Sequence, residues 1–382
     1  METSIPPTVK TVGFLDVIIM IHQVVILAGG KGTRLGSNKA KCLMQVNELP
    51  ILQHIINEFK KQNVNKIHLC LGFDNENVLE WLNNEEIEYT FSLDDEENLG
   101  TWKALVKAKE YLDDTFFVTY GDSIAFCDLF FMQMQYIESK QKSMTSVSNY
   151  QSNHANLFIN DKNEIDIGVA NFVEHGISIF SKSEINDDLS FKNFSDFFKG
   201  QKTKVHYACA NYYQINTPED LHYANLCFKN FANKNKYNFL DRDGTINIFM
   251  KDIYESMNFI PNEDILARVD ENNCVIVTNQ PAKAKTETSL ENINKMNFLA
   301  REFLLKNKKN VIFTQTCLHR DYVKQNDEFD ILRHDCDCRK PKTGMLKKSL
   351  HRINIDQSSM FFGDSECDEL CAEEFGLNFC KI

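Results

Sequence analysis

Two carboxylates one residue apart end a short apolar run at Asn238-Phe239-Leu240-Asp241-Arg242-Asp243-Gly244-Thr245. If residues 238–240 are a strand, Asp241 and Asp243 stand at its carboxyl end, where parallel α/β sheets place their ligands. Arg242, between them, is then expected on the opposite side. The competing reading is a solvated Asp-Gly turn after an edge strand, and the partners found downstream weigh against it.

At 382 residues the chain is long for one core and comfortable for two. A formal charge of −12 argues against a nucleic-acid surface, which needs a basic patch to displace counterions. Twelve cysteines without a secretory signal imply a reducing, cytoplasmic setting with several thiols on a metal, not a disulfide framework. Residues 12–27 are apolar-rich, but Asp16, His22 and Gln23 interrupt them, so no membrane partner is expected. Met20 reads as an alternative start, with residues 1–19 as an N-terminal extension. Homo-oligomerisation is left open.

In the first half, residues 23–27 read as a buried strand running into Ala28-Gly29-Gly30-Lys31-Gly32-Thr33-Arg34-Leu35. Glycines in such a loop let backbone N–H groups approach phosphates closely, and Lys31 and Arg34 add positive charge. The spacing fits neither a dinucleotide fingerprint nor a P-loop. A helix over 51–60 has an apolar stripe at Ile51, Ile55, Ile56 and Phe59. Strands over 66–71, 88–91 and 115–119 alternate with helices over 75–82 and 98–112, and 173–180 reads as a further strand. The strand at 115–119 ends in Tyr120-Gly121-Asp122-Ser123, where a carboxylate suits a hard divalent cation beside phosphates.

The glycine loop resembles the Leu-Ala-Gly-Gly-x-Gly-Thr-Arg-Leu signature of sugar-phosphate nucleotidyltransferases, of the heptose- and mannose-1-phosphate guanylyltransferase type, over about residues 20–230. The resemblance implies that Ala28, Gly29, Gly30, Gly32 and Thr33 bind a nucleoside triphosphate, with Arg34 and Lys41 as catalytic cations. It puts Leu99, Gly100 and Thr101 beside the base, Mg2+ on Asp122 and the sugar near Glu174. Two departures stand out. Lys41 follows Leu35 closely and comes after Ala40 where proline is usual, which makes Lys39 a weaker candidate for the same task. Gln214 and Asn216 occupy positions where relatives carry a second metal-binding Asp.

In the second half, the apolar run at 274–277 ends in Thr278-Asn279-Gln280, Arg339-Lys340-Pro341 supplies cations, and 360–363 ends in Asp364-Ser365-Glu366-Cys367-Asp368. A hydroxyl, a pair of cations and further carboxylates thus follow the first acidic pair in order. Cys317-Leu318-His319 and Cys336-Asp337-Cys338 offer three thiolates and an imidazole, the donor set of a closed structural zinc site.

Asp-x-Asp-Gly-Thr with these partners resembles the haloacid dehalogenase (HAD) phosphatases. Cys338-Arg339-Lys340-Pro341 resembles their histidinol-phosphate and heptose-bisphosphate branch. The resemblance implies Asp241 as nucleophile and Asp243 as general acid/base. It places phosphate on Thr278, Asn279, Arg339 and the catalytic Lys340, Mg2+ on Asp241, Asp243 and Asp364, and structural Zn2+ on Cys317, His319, Cys336 and Cys338. Departures are Pro281-Ala282, where Ser-Gly is usual, and Ser365, where lysine is common.

The expected fold is α/β in two domains. A Rossmann-like nucleotidyltransferase with a GT-A-like mixed sheet covers 20–230, a linker 231–237, and a capless HAD-like phosphatase with a zinc loop 238–382. Together the two families imply nucleotide-sugar synthesis. A sugar bisphosphate, by analogy heptose 1,7-bisphosphate, loses one phosphate, and the 1-phosphate is coupled to a nucleoside triphosphate with release of pyrophosphate. The alternative is a histidinol-phosphate-type phosphatase fused to a binding or regulatory module, which Gln214 and Asn216 would allow.

Overall fold

The computed structural model describes residues 20–36, 38–94, 100–149, 156–166, 170–185, 191–201, 203–250 and 252–382. Among these, seven strands form a mixed sheet: β1 (Gln23–Leu27), β2 (Lys66–Leu71), β3 (Thr90–Leu93), β4 (Thr115–Tyr120), β5 (Ser143–Ser148), β6 (Val173–Ser181) and β7 (Lys204–Tyr207). Their order is β7-β5-β6-β4-β1-β2-β3. β6 runs antiparallel to β4 and β5, and the remaining pairs are parallel. β1 and β4 pair with Leu27 opposite Tyr120, which sets the loop after each strand side by side at one rim.

Helix α1 (Ile51–Lys60) buries Ile51, Leu52, Ile55, Ile56 and Phe59, the expected stripe, and α2 spans Asn75–Asn84. The helix expected over 98–112 is shorter: α3 runs Thr101–Lys107, and Lys109–Tyr111 forms a separate 3-10 turn. Gly100 causes the late start, because it holds φ at 91° directly beneath the Lys192 carbonyl, a conformation no helical residue adopts. β3 also begins later than expected, at Thr90, the first residue to pair with β2.

Five further strands form a second sheet in which every pairing is parallel: β8 (Asn238–Leu240), β9 (Cys274–Asn279), β10 (Val311–Cys317), β11 (Met360–Gly363) and β12 (Asn378–Lys381). Their order, β10-β9-β8-β11-β12, reverses at β8. Open parallel sheets bind ligands at such a switch point, and β8 is the strand that leads into Asp241.

Between the sheets, α4 (Pro218–Ala232) begins at a capping box made by Thr217 and Asp220. Lys234–Asn235 then pairs in parallel with Asn354–Ile355. The halves share a core. Ala210 bridges Phe313, and the Asn211 N–H donates to the Ile312 carbonyl at 2.7 Å. One apolar cluster contains Phe126 and Phe231 from the first half with Val277, Phe313 and Phe361 from the second. At this seam Arg352 is ion-paired with buried Glu58 and lies 5.1 Å from the ring centroids of Phe126 and of Phe313. Among the described residues no helix is long and apolar enough to cross a membrane.

Candidate active sites

A cleft of about 1110 Å3 opens at the rim of the first sheet. Of the residues expected there, Gly29, Gly30, Gly32, Thr33, Arg34, Lys41, Gly100, Thr101 and Asp122 line it, together with Lys31. Asn216, expected where relatives carry a second metal-binding Asp, also lines it, as do Gly72, Phe73, Asp94, Tyr120, Lys192 and Asn193, which were not anticipated as walls. Ala28 lies buried beneath, its N–H donating to the Cys70 carbonyl at 2.8 Å. The Thr101 hydroxyl accepts from the Phe194 N–H at 3.1 Å, so it ties down the loop that carries Lys192. Glu174 is buried behind the wall, where its carboxylate accepts from the Tyr120 hydroxyl at 3.0 Å. Burial pushes its carboxyl up to about 7. Leu99 lies outside the described residues.

The floor of the cleft is organised by Lys41. Its backbone N–H donates to the Gly30 carbonyl at 3.2 Å, fastening it to the glycine loop. Its ammonium lies 2.7 Å from Asp122 Oδ2 and 2.6 Å from Asn216 Oδ1. Asp122 Oδ1 accepts from the Ser123 hydroxyl at 2.7 Å, and the Asn216 N–H donates to the Asp220 carboxylate that caps α4. A carboxylate and an amide oxygen already converge on one cation here, and both are hard donors of the kind Mg2+ takes.

At the second rim, the Lys340 ammonium lies 2.7 Å from Asp241 Oδ1 and 2.5 Å from Asp368 Oδ1, and it donates to the Val277 carbonyl at 2.9 Å. Asp241, Asp364 and Asp368 each offer an oxygen within 4.8 Å of the others, a donor set that fits a hard divalent cation. Burial pushes Asp241 up to about 6, against the opposing pull of Lys340. Burial also raises Asp364, with Asp368 adding to the shift. Asp368 does double duty, because its other oxygen accepts from the Ser365 hydroxyl at 2.6 Å to cap the helix α6 (Glu366–Phe375).

Asp243 is not in this acidic group. Its carboxylate is clasped by Arg242 Nε and Nη2 at 3.0 and 2.8 Å, by Gln280 Nε2 at 2.8 Å and by Asn247 at 3.1 Å. Burial would raise it, but the Arg242 guanidinium and these donors prevail and leave it below the ordinary carboxylate range. The expectation that Arg242 points away therefore fails. The strand ends at Leu240, and beyond it the Arg242 carbonyl accepts from the N–H groups of Thr245, Ile246 and Asn247 in a tight turn. Side-chain alternation does not extend into such a turn.

The Thr278 hydroxyl is buried and accepts from Gln280 Nε2 at 2.9 Å. Asn279 uses both ends of its amide on the backbone of Lys340, at 3.0 and 3.1 Å. Arg339 is half-buried and reaches the His319 carbonyl at 3.4 Å. Cys317, His319, Cys336 and Cys338 converge, with sulfur–sulfur distances of 3.2 to 3.6 Å and His319 Nδ1 3.2 Å from Cys338 Sγ. A tetrahedral zinc with bonds of about 2.3 Å needs edges only slightly longer, so three sulfurs and one imidazole fit that ion. His334 stacks edge-on against His319 outside the cluster.

Residues 24–145 match the model of the MobA-like NTP transferase domain. That match takes in the glycine loop, Lys41 and Asp122, and the first half of the chain is therefore a Rossmann-like nucleotidyltransferase domain in a mixed α/β setting. The chain is 39% identical over 104 residues to the bifunctional protein GlmU of Methanococcus maripaludis, covering 26% of this chain and 24% of that protein. It is 38% identical over 107 residues to GlmU of Staphylococcus haemolyticus, covering 27% and 23%. The chain thus spans about a quarter of the length of the curated relatives it matches. Among solved structures it is similar to HddC from Yersinia pseudotuberculosis, with 25% identity and a TM-score of 0.48 over 55% of this chain and 100% of that one. It is also similar to the inositol-1-phosphate CTP transferase from T. maritima, with 17% identity and a TM-score of 0.46 over 52% and 91%.

Proposed function

We propose that the chain carries two phosphate chemistries on two units, residues 20–230 and 238–382, joined through 231–237. The first couples a sugar 1-phosphate to a nucleoside triphosphate with release of pyrophosphate. The second is a HAD-like phosphatase that removes a phosphate from a sugar bisphosphate, heptose 1,7-bisphosphate being the candidate that motivates the pairing. The observation that carries the reading is the same arrangement at both rims: a buried lysine ammonium held between two oxygen acceptors, Lys41 between Asp122 and Asn216, and Lys340 between Asp241 and Asp368.

In the first cleft the glycine-loop amides, Arg34 and Lys41 would hold the triphosphate while the sugar phosphate oxygen attacks the α-phosphorus and pyrophosphate leaves. Asp122 and Asn216 would hold Mg2+ there. In the second, the Asp241 carboxylate attacks phosphorus, and an acyl phosphate forms as the sugar oxygen departs with a proton from Asp243. Asp243 then takes a proton from water, whose oxygen attacks the same phosphorus and frees Asp241. Arg242 keeps Asp243 ionised, which suits this second step; the charge of an arriving phosphate ester opposes Arg242 and favours the protonated form that the first step needs. Lys340 offsets phosphoryl charge, and Asn279 holds the backbone that carries it. Asp241, Asp364 and Asp368 would take Mg2+, with Asp368 in place of Asp243. In each site the ion supplies positive charge against phosphate oxygens. Zinc on Cys317, His319, Cys336 and Cys338 would pin the loop bearing Arg339 and Lys340.

The experiment is a screen of four nucleoside triphosphates against sugar 1-phosphates, read by pyrophosphate release and product mass, beside phosphate release from sugar bisphosphates. Asp122→Ala should abolish the first and spare the second, and Asp241→Asn the reverse. Phosphate release that survives Asp241→Asn but not Asp122→Ala would overturn the division of labour. No pyrophosphate from any pair would favour a binding or regulatory role for the first half.

A further inference from the structure

Helix α5 (Leu290–Lys306) carries Asn294, Asn297 and Arg301 on a single stripe, each 1% exposed. Buried polar side chains persist where they find partners, and these find them in both halves of the chain. Asn294 accepts from the Tyr207 N–H at 2.7 Å and donates to the Tyr207 carbonyl at 2.9 Å, gripping β7 at the edge of the first sheet. Arg301 Nη2 donates to Asn211 Oδ1 at 3.0 Å in the same half. Between them, Asn297 Oδ1 accepts from Arg242 Nη1 at 2.8 Å, and its Nδ2 donates to the Thr316 hydroxyl at 3.0 Å.

A guanidinium is planar, and its donors form a rigid fork. Fixing Nη1 of Arg242 therefore fixes the plane in which Nε and Nη2 present themselves to the two oxygens of Asp243. The Tyr254 hydroxyl accepts from Nη2 at 2.8 Å, while Asn297 holds the opposite corner of the guanidinium, at Nη1. We propose that Asn297 is a positioning residue for the second site: it orients Asp243 through Arg242, and because its neighbours on the stripe are anchored to the first half, that orientation is built against the edge of the other sheet. The role rests on the phosphatase reading of Asp243.

The test uses the full-length chain with p-nitrophenyl phosphate and Mg2+. Asn297→Ala should lower kcat by about tenfold, short of the loss of the acid/base itself, with KM within about twofold and pyrophosphate release at the first site unchanged. Asn297→Asp, which keeps an acceptor for Nη1 and lets the Thr316 hydroxyl donate to it, should recover most of the loss. Thr316→Val, close to isosteric, removes the other tether of Asn297 and should lower the same kcat severalfold even if Asn297→Ala does not fold. A crystal structure of Asn297→Ala, or of Thr316→Val in its stead, should show the Arg242 plane turned off Asp243. Wild-type kcat in these variants, no recovery in Asn297→Asp, or an Arg242 still gripping both oxygens of Asp243 would overturn the proposal. If the unaltered chain hydrolyses no phosphate ester, the phosphatase reading falls instead, and the Arg242 geometry in the variant crystal alone decides the positioning role.

Discussion

Gly244 shows how little room the second site leaves at single positions. It follows Asp243 with φ at 84°, and a methyl group there would overlap the Asp364 carboxylate. Gly244→Ala should therefore cost roughly 1–3 kcal/mol in urea unfolding and, by displacing Asp364 from Asp241 and Asp368, cut phosphate release more than about tenfold. Gly36→Ala is the control, because Gly36 also has a positive φ, 66°, but faces open space. It should cost about 1 kcal/mol and leave phosphate release intact; equal losses from both would deny Gly244 its role. Asp122 and Asp241 were legible because each sits in a short motif at a strand end, whereas Lys41 and Lys340 were legible from their motifs alone, one in a 3-10 turn and the other in a loop. Asn216 was read as a weak stand-in for a carboxylate, yet its amide oxygen shares Lys41 with Asp122, since an acceptor's value depends on geometry that a neutral letter does not display. The Ser365-x-x-Asp368 capping box was readable too, but nothing local links Asp368 to Lys340.

Among elements, the loop from Cys317 to Lys340 has the sharpest test. On the zinc reading, Cys338→Ser should lower the zinc content measured by mass spectrometry and depress phosphate release, because Arg339 and Lys340 follow Cys338 directly. Pyrophosphate release should hold. A variant that keeps its metal, or loses both activities together, would show that the loop does not act on the second site alone. The apolar stripe of α1 was visible from its period, as were the strands of continuous Val, Ile and Phe, since both faces of a parallel sheet are covered. The late start of α3 was not visible, because it depends on the Lys192 carbonyl crossing over Gly100. The polar stripe of α5 was equally hidden, because its partners Tyr207 and Asn211 come from the other half of the chain.

For the whole molecule, Arg352 and Glu58 join positions 294 residues apart, a separation at which sequence carries no pairing signal. Arg352→Met should lower stability by about 3–5 kcal/mol, because Glu58 is left buried and uncompensated; adding Glu58→Met should restore much of it. A double variant no better than the single one would mean that the guanidinium matters for packing on Phe126 and Phe313, not for charge. Acid should also weaken the fold. Burial lowers His68 to about 4 and His175 and His206 to about 3, from 6.5. A depressed histidine contributes stability that is complete above 6.5 and is lost as pH falls, about 1.4 kcal/mol per unit for each. Glu174 and Asp241, raised to about 7 and about 6, act in the opposite sense over the same window. His319, also lowered to about 4, and His54 add to the loss, and the raised Asp364 opposes it, so the fold should lose stability as pH falls from about 7.5 to about 5.5. Thermal melting in the two buffers checks the sign, and a higher midpoint in acid would refute it.

The apolar cluster that holds Phe126 and Phe231 against Phe313 and Phe361 has a last consequence. A seam filled with phenyl rings resists being opened to water, so cutting the chain between the halves would bare an oily face on each of them.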